Sequence, residues 1–198
     1  RFIKNDFEAN GTLTSSANRL IQSQIDDLLF NQSIVTDETG TPITSALGGT
    51  YNLFRAPQFQ AHLKTDSGKV FIGAPRKGVF SNRESIHISR RLNHPDGSFA
   101  GMVSVALNPD YFANFYQKME MDTGHVVILT GLDGVIRASQ HEGEVEPVSI
   151  AFLFNSISKN QRGHYDSAAI QHENPYYYSY RVLSDYPLVV QVGVSGEV

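Results

Sequence analysis

The chain is 198 residues long, which at roughly 100 to 200 residues per domain allows one large domain or two small ones and excludes a long multidomain enzyme. Sixteen Lys plus Arg against 20 Asp plus Glu give a net charge of -4, so the broad basic surface that duplex nucleic acid or anionic lipid requires is missing. The absence of cysteine removes disulfide scaffolds, zinc-thiolate sites and thiol catalysis together.

The opening Arg1-Phe2-Ile3-Lys4-Asn5-Asp6 reads as neither a signal peptide nor a native start, and no apolar run approaches the ~18 residues of a membrane span. An excised piece of a longer protein is expected. Leu20, Ile21 and Ile25, followed by Leu28 and Leu29, keep helical spacing, with Ser15 or Ser16 as N-cap. A strand from Phe30 ends at Asp37-Glu38-Thr39-Gly40, where glycine supplies the positive φ of a tight turn. Pro42 to Ser45 reads as the return strand, and Ala56 to Leu63 as a short helix opened by Pro57. Three strands come next, Lys69 to Ala74, Ser85 to Leu92 and Phe99 to Leu107, the last two joined by a hairpin loop at Asn93-His94-Pro95-Asp96-Gly97.

Asn108, Pro109 and Asp110 then start a helix whose apolar stripe is Tyr111, Phe112, Phe115, Tyr116 and Met119. From here the order begins again. His125 to Thr130 is a strand, Leu132-Asp133-Gly134 a turn, Val135 to Ala138 a return strand and Val148 to Ile157 a short helix. Strands at His164 to Ala169, Tyr176 to Leu183 and Leu188 to Val194 close the chain. Gly40 and Gly134 stand 94 residues apart, and the strands after each turn fall in the same sequence, the signature of a tandem repeat. The expected fold class is α+β: two PAS-like modules, each a five-stranded antiparallel sheet flanked by helices, preceded by an N-terminal helix. The strand from Phe99 to Leu107 carries small or apolar residues at both parities, as a strand covered on both faces does.

Enzymatic motifs are missing. Gly97-Ser98-Phe99-Ala100-Gly101 puts serine second and lies in a hairpin, unlike a nucleophile elbow. The seven histidines form no i,i+4 metal pair, and no phosphate loop or calcium loop is present. No catalytic residue, metal or cofactor is expected. Arginines stand out instead: Arg55 at the short helix, Arg76 past one strand, Arg83 before the next, and Arg90 and Arg91 within it. By parity Arg90 shares a face with Ile86 and Ile88 and should point to a covered side, while Arg91 lies with His87 and Ser89. Two explanations stay open: an internal pair with an acid such as Asp66, Glu84 or Asp110, or a small anionic ligand under the short helix. Tyr176, Tyr178 and Tyr180 alternate against Tyr177 and read as packing.

The run Ile88-Ser89-Arg90-Arg91-Leu92 through Asp96-Gly97-Ser98-Phe99-Ala100-Gly101-Met102-Val103 resembles the S-R-R-L, D-G-x-F-x-G-V-V segment of double Cache domains. These are tandem PAS-like (PDC) sensor modules of bacterial diguanylate cyclases, cyclic-di-GMP phosphodiesterases and histidine kinases. Leu132-Asp133-Gly134-Val135-Ile136-Arg137-Ala138, Arg181 to Val190, and Phe71-Ile72-Gly73-Ala74-Pro75 agree, and the resemblance runs from about Phe30 to Ser195. It implies a truncated signalling helix at 1–29, a membrane-distal ligand-binding module at 30–108 and a membrane-proximal module at 109–198. The parent would be a homodimeric inner-membrane receptor with this part periplasmic. The distal pocket would lie between Tyr51 and Arg55 and between Phe71 and Arg90. The amino-acid-binding subclass carries a tryptophan in its motif, and this chain has none.

The expected function is therefore a non-enzymatic periplasmic sensor of a small molecule, controlling a cytoplasmic output. Arg55, Arg76 and Arg90 are its candidate anion anchors, Ser89 a hydrogen-bonding contact, and Tyr51, Phe71 and Phe80 the walls. The competing reading is a ligand-free dimerisation or partner-protein module, and a weaker third is a small hydrolase using one of the histidines.

Overall fold

The computed structural model describes residues 2–23, 30–45, 51–78, 83–109, 111, 125–140, 153–154, 157–166 and 176–196. The chain divides into two compact units, Arg1–Asn108 and Pro109–Val198.

In the first unit, helices α1 (Phe2–Asn10) and α2 (Ser15–Ser23) precede strands β1 (Phe30–Thr36) and β2 (Pro42–Ser45). Helix α3 (Pro57–Lys64) follows, then β3 (Phe71–Ile72), β4 (Arg76–Lys77), β5 (Glu84–Asn93) and β6 (Phe99–Leu107). The second unit contributes β7 (His125–Gly131), β8 (Ile136–Gln140), β9 (Arg162–Asp166), β10 (Tyr176–Val182) and β11 (Leu188–Ser195). All pairings are antiparallel. The first sheet runs β2-β1-β6-β5-β3 and the second β8-β7-β11-β10-β9. The repeat seen in the sequence is thus a repeat of topology: the opening hairpin pairs with the last strand, which pairs with the one before it. Even the irregularities coincide. Each opening hairpin shifts register before its turn, between Val35 and Thr36 and between Leu129 and Thr130, again 94 residues apart.

The first sheet holds six strands where five were expected: the predicted strand Lys69 to Ala74 shortens to Phe71–Ile72, and Arg76–Lys77, beyond it, is an additional strand. Only Phe71–Ile72 pairs with the middle of β5, and Arg76–Lys77 pairs separately with its start, opposite Ser85 and Glu84. Pro75 lies between them and has no N–H to donate to a ladder.

The N-terminal segment also differs from a single helix. Thr14 caps α2, its Oγ1 accepting from Ala17 N at 3.3 Å and donating to Asp6 Oδ1 at 2.8 Å, so one carboxylate of α1 fixes the start of α2. Phe7, Leu13, Ala17 and Ile21 pack against Val35, Leu92 and Ala100, placing both helices on one face of the first sheet. Helix α3 takes the other face, with Pro57 at its N-terminal end and Phe59 buried edge-on against Phe99 at 5.2 Å. Strand β6 is covered on both sides accordingly.

In the second unit Val126, Ile128, Leu153, Tyr165, Tyr178, Tyr180 and Val189 form the core, with Tyr165 stacked on Tyr178 at 4.9 Å. Tyr177, of opposite parity, is exposed. Most of the predicted helices from Asn108 and from Val148 to Ile157 lies outside the described residues. No described helix is long and apolar enough to cross a membrane.

Candidate functional site

A cavity of about 270 Å³ opens in the first unit between the 51–58 segment and the sheet. Its sheet side is formed by Gln32 and Ile34 of β1, Ser104 of β6, His87 of β5 and Arg76 and Lys77 of β4. Its roof is Tyr51 to Arg55 followed by the first residues of α3.

The roof is held in place by the opening turn. Gly40, at φ 82, accepts Leu53 N on its carbonyl at 2.8 Å. A Cβ there would sit 2.5 Å from Phe54 N, so glycine is required for the approach of the loop as well as for the backbone angle. Asn52 reinforces the contact, donating Nδ2 to Thr39 O at 3.0 Å and accepting Phe54 N on Oδ1 at 2.8 Å. Tyr51 reaches back to the sheet: its hydroxyl accepts from Gln32 Nε2 at 2.8 Å and lies 2.7 Å from Ser45 Oγ.

The electrostatics are one-sided. Arg55, Arg76 and Lys77 all line the cavity, and no described carboxylate does. Arg55 and Lys77 are exposed at the rim, whereas Arg76 is half-buried and donates Nη2 to Gln58 Oε1 at 2.6 Å. Gln58 is itself 1 % exposed. The guanidinium is therefore oriented by a neutral amide that leaves its charge unbalanced, and burial lowers its pKa from the usual arginine value. His87 is held neutral, its pKa pushed down to about 4 by burial and secondarily by the nearby Arg76 charge. Ser104 Oγ is buried with no hydrogen-bond partner among the described residues, on the same lining. A buried hydroxyl without a partner costs free energy, which a hydrogen-bonding group entering the cavity would recover. The arrangement can bind a small anion through arginine with a hydroxyl and a neutral imidazole alongside; it contains no nucleophile paired with a base.

Of the seven residues picked from sequence, Tyr51, Arg55 and Arg76 come together at this cavity. Ser89, Phe71 and Arg90 do not line it, and Phe80 lies outside the described residues. Ser89 Oγ is 2.9 Å from His62 Nε2 beneath α3, and Phe71 stands edge-on to the same imidazole at 6.2 Å. Arg90 borders a separate crevice of about 10 Å³ beside Lys4 and Asp66. The reason is parity: β5 presents His87, Ser89 and Arg91 to α3, while Leu92 faces the N-terminal helices. Arg90 has the parity of Leu92, opposite to that of the strand residues nearest the cavity, and it is partly exposed. Arg91 is the structural arginine. It donates to the carbonyl of His62, bonds Asn93 Oδ1 at 2.6 Å, lies over the Phe99 ring at 4.7 Å and pairs with Asp66 at 3.7 Å.

Gln32, Gln58, His87 and Ser104 were missed. His87 could have been found from its parity with Ser89, since two polar residues on one face of a central strand need polar company there. Nothing local marks Gln58, a polar residue in the first turn of a helix. The second unit has a wider depression of about 640 Å³ bordered by Arg162, Arg181 and Asp185. It is formed mostly by exposed residues and includes a carboxylate among its cations, so it lacks both the burial and the charge imbalance of the first.

No protein-family model and no curated protein sequence matches the chain. Solved structures do. The extracellular domain assigned to a histidine kinase, rpHK1S-Z16, superposes with a TM-score of 0.82 at 21% identity, over 99% of this chain and 83% of that one. The sensor domain of the V. cholerae histidine kinase DctB gives a TM-score of 0.54 at 13% identity, over 99% and 84%. The ligand-binding domain of the Pseudomonas fluorescens chemoreceptor CtaA, solved with L-serine, gives 0.64 at 15% identity, over 100% and 87%. These neighbours are an extracellular domain, a sensor domain and a ligand-binding domain of histidine kinases and a chemoreceptor, and they match the tandem PAS-like fold described above.

Proposed function

We propose that the chain is the small-molecule-sensing head of a membrane receptor, located outside the cytoplasmic membrane, and that it binds a small anion in the cavity of its first unit. The observation that carries this reading is Arg76, half-buried beside a 270 Å³ opening and held by a neutral amide with no described carboxylate in reach. A ligand-free interaction module gives no reason for this arrangement, whereas a half-buried charge without a counter-charge gains stability when a ligand supplies the opposite sign. The cavity is smaller than the roughly 300–1,000 Å³ typical of drug-sized ligands, which suits a metabolite of few atoms.

The fold neighbours support a sensing role and point to a histidine kinase or chemoreceptor output; control of cyclic-di-GMP turnover is a second output that the sequence resemblance suggests. The head itself carries no chemistry in this reading. Ligand shifts the receptor only to the extent that it binds one arrangement of the first unit better than another. Helices α1 and α2 pack on the far face of the cavity-bearing sheet, so a change in β1 or β5 reaches them through Val35 and Leu92. In the intact receptor the same head would sit in a homodimer.

A thermal-shift screen of small carboxylates, amines and amino acids tests the reading. Ligand at 100 times its dissociation constant adds about 2.7 kcal/mol, a rise of several degrees in melting temperature. A stabilising carboxylate is expected; a screen in which no compound shifts the transition would contradict the proposal.

A further inference from the structure

The charge pattern of the cavity has a consequence for which anions it takes, and this step rests on the sensing reading above. An α-amino acid brings a carboxylate and an ammonium group together. Burying the ammonium is costly unless an anionic or strongly accepting group receives it. Here the lining offers Arg55, Arg76 and Lys77 and no described carboxylate. Of the undescribed stretches nearest the lining in sequence, 46–50 (Ala-Leu-Gly-Gly-Thr) and 79–82 (Val-Phe-Ser-Asn) contain no acid, whereas 24–29, ahead of β1, contains Asp26 and Asp27. Nearby carboxylates are spent elsewhere. Asp37 accepts Thr39 N at 2.9 Å and Thr41 N at 3.0 Å in the opening turn, and Glu84 is exposed, opposite Lys77 across the strand pair.

Several of the neutral acceptors are also engaged, leaving the His87 imidazole and Gln32 Oε1 as uncharged acceptors on the lining. Gln58 Oε1 holds Arg76, Asn52 Oδ1 holds Phe54 N, and Tyr51 hydroxyl takes Gln32 Nε2. The charged groups on offer are donors, Arg76 and the rim cation Arg55, beside the buried hydroxyl of Ser104, which has no hydrogen-bond partner among the described residues. We propose that the cavity selects small carboxylic acids without an ammonium group, such as hydroxy, keto or dicarboxylic acids, over the corresponding α-amino acids. An ammonium would lie among like charges, whereas a hydroxyl or keto oxygen in its place accepts from arginine or serine.

Matched pairs test this with the whole chain: lactate against alanine, malate against aspartate, and 2-oxoglutarate against glutamate, by calorimetric titration and melting temperature. At least one non-amino acid is expected to bind, with its amino partner at least about tenfold weaker. The Arg76→Ala variant, checked for an unchanged circular dichroism spectrum, should lose the binding, and Arg76→Lys should recover part of it. An amino acid that binds more tightly than its matched partner overturns the selectivity while leaving the sensing reading intact. If no member of any pair binds, the inference falls, and the sensing reading falls with it only if the wider screen is also empty.

Discussion

Arg76 donates to Gln58 across 2.6 Å, from a two-residue strand to the first turn of α3, and this neutral contact aims a positive charge at the cavity without cancelling it. The pairing makes a specific forecast. Gln58→Glu replaces the amide by a carboxylate of the same shape, turning the contact into a charge-assisted pair of about 1.5 to 3 kcal/mol. A ligand must then compete with an internal anion, so carboxylate affinity should fall at least about tenfold in a calorimetric titration while the variant stays folded. Undiminished affinity would show that Arg76 is not the anchor.

The opening turn is expected to be intolerant in a way its sequence alone does not convey. Gly40→Ala places a Cβ 2.5 Å from Phe54 N at φ 82, adding a collision with the roof to the roughly 1–2 kcal/mol of a left-handed alanine. A loss of at least about 2 kcal/mol is expected on urea unfolding. Gly97→Ala has a similar φ of 85 but meets nothing within 4 Å, and it should cost only about 1 kcal/mol. Equal costs for the two variants would contradict the proposed contact between turn and loop.

The buried His62 and the half-buried His87 set an acid limit on stability. Burial pushes the pKa of His62 and of His87 down to about 4, so between the unfolded value near 6.5 and about 4 the unfolded chain binds more protons than the folded one. Stability therefore falls as pH drops through that window, by up to about 1.4 kcal/mol per pH unit for each histidine, and the loss levels off below it. Urea midpoints measured from pH 7 to pH 4 should show this slope, and His87→Gln should reduce it. A stability flat over that range would exclude neutral buried imidazoles.

In the second unit a buried chain of hydrogen bonds runs from Tyr165 Oη to Gln191 Oε1 at 2.6 Å and from Gln191 Nε2 to Thr130 Oγ1 at 2.7 Å. Tyr165→Phe leaves the Gln191 oxygen without its donor inside a packed core, a cost of about 1–3 kcal/mol. The unfolding transition should shift accordingly, with ligand affinity unchanged, since every described residue lining the cavity belongs to the first unit. A variant that folds normally yet binds ligand weakly would show that the second unit contributes to the site.

Much of the fold was legible because its punctuation is chemical. The turns at Gly40, Gly97 and Gly134, the helix start at Pro57 and the alternation of Tyr176 to Tyr180 each have a local cause, and the 94-residue spacing of the hairpins carries over into identical strand order. Helix α1 was not legible: Phe7 is its one fully buried residue, too sparse a stripe to announce a helix, and its anchorage comes from Leu92 and Ala100 far along the chain. The site was half legible. Arginine type and position pointed to Arg55 and Arg76, but the choice between the two faces of β5 depends on which helices pack where, which no residue in β5 states. Arg90 and Arg91 could be told apart only by that packing. Gln58, His87 and Ser104 gain their meaning from one another across three elements.

The most direct test of the central claim is calorimetric titration of the tightest-binding of lactate, malate and 2-oxoglutarate into the wild-type chain and into Arg76→Ala under the same buffer and salt. The account predicts saturable one-to-one binding to the wild type and none measurable to the folded variant. Equal binding to both proteins would contradict it, because the anion would then be held somewhere other than the cavity that Arg76 and Gln58 define.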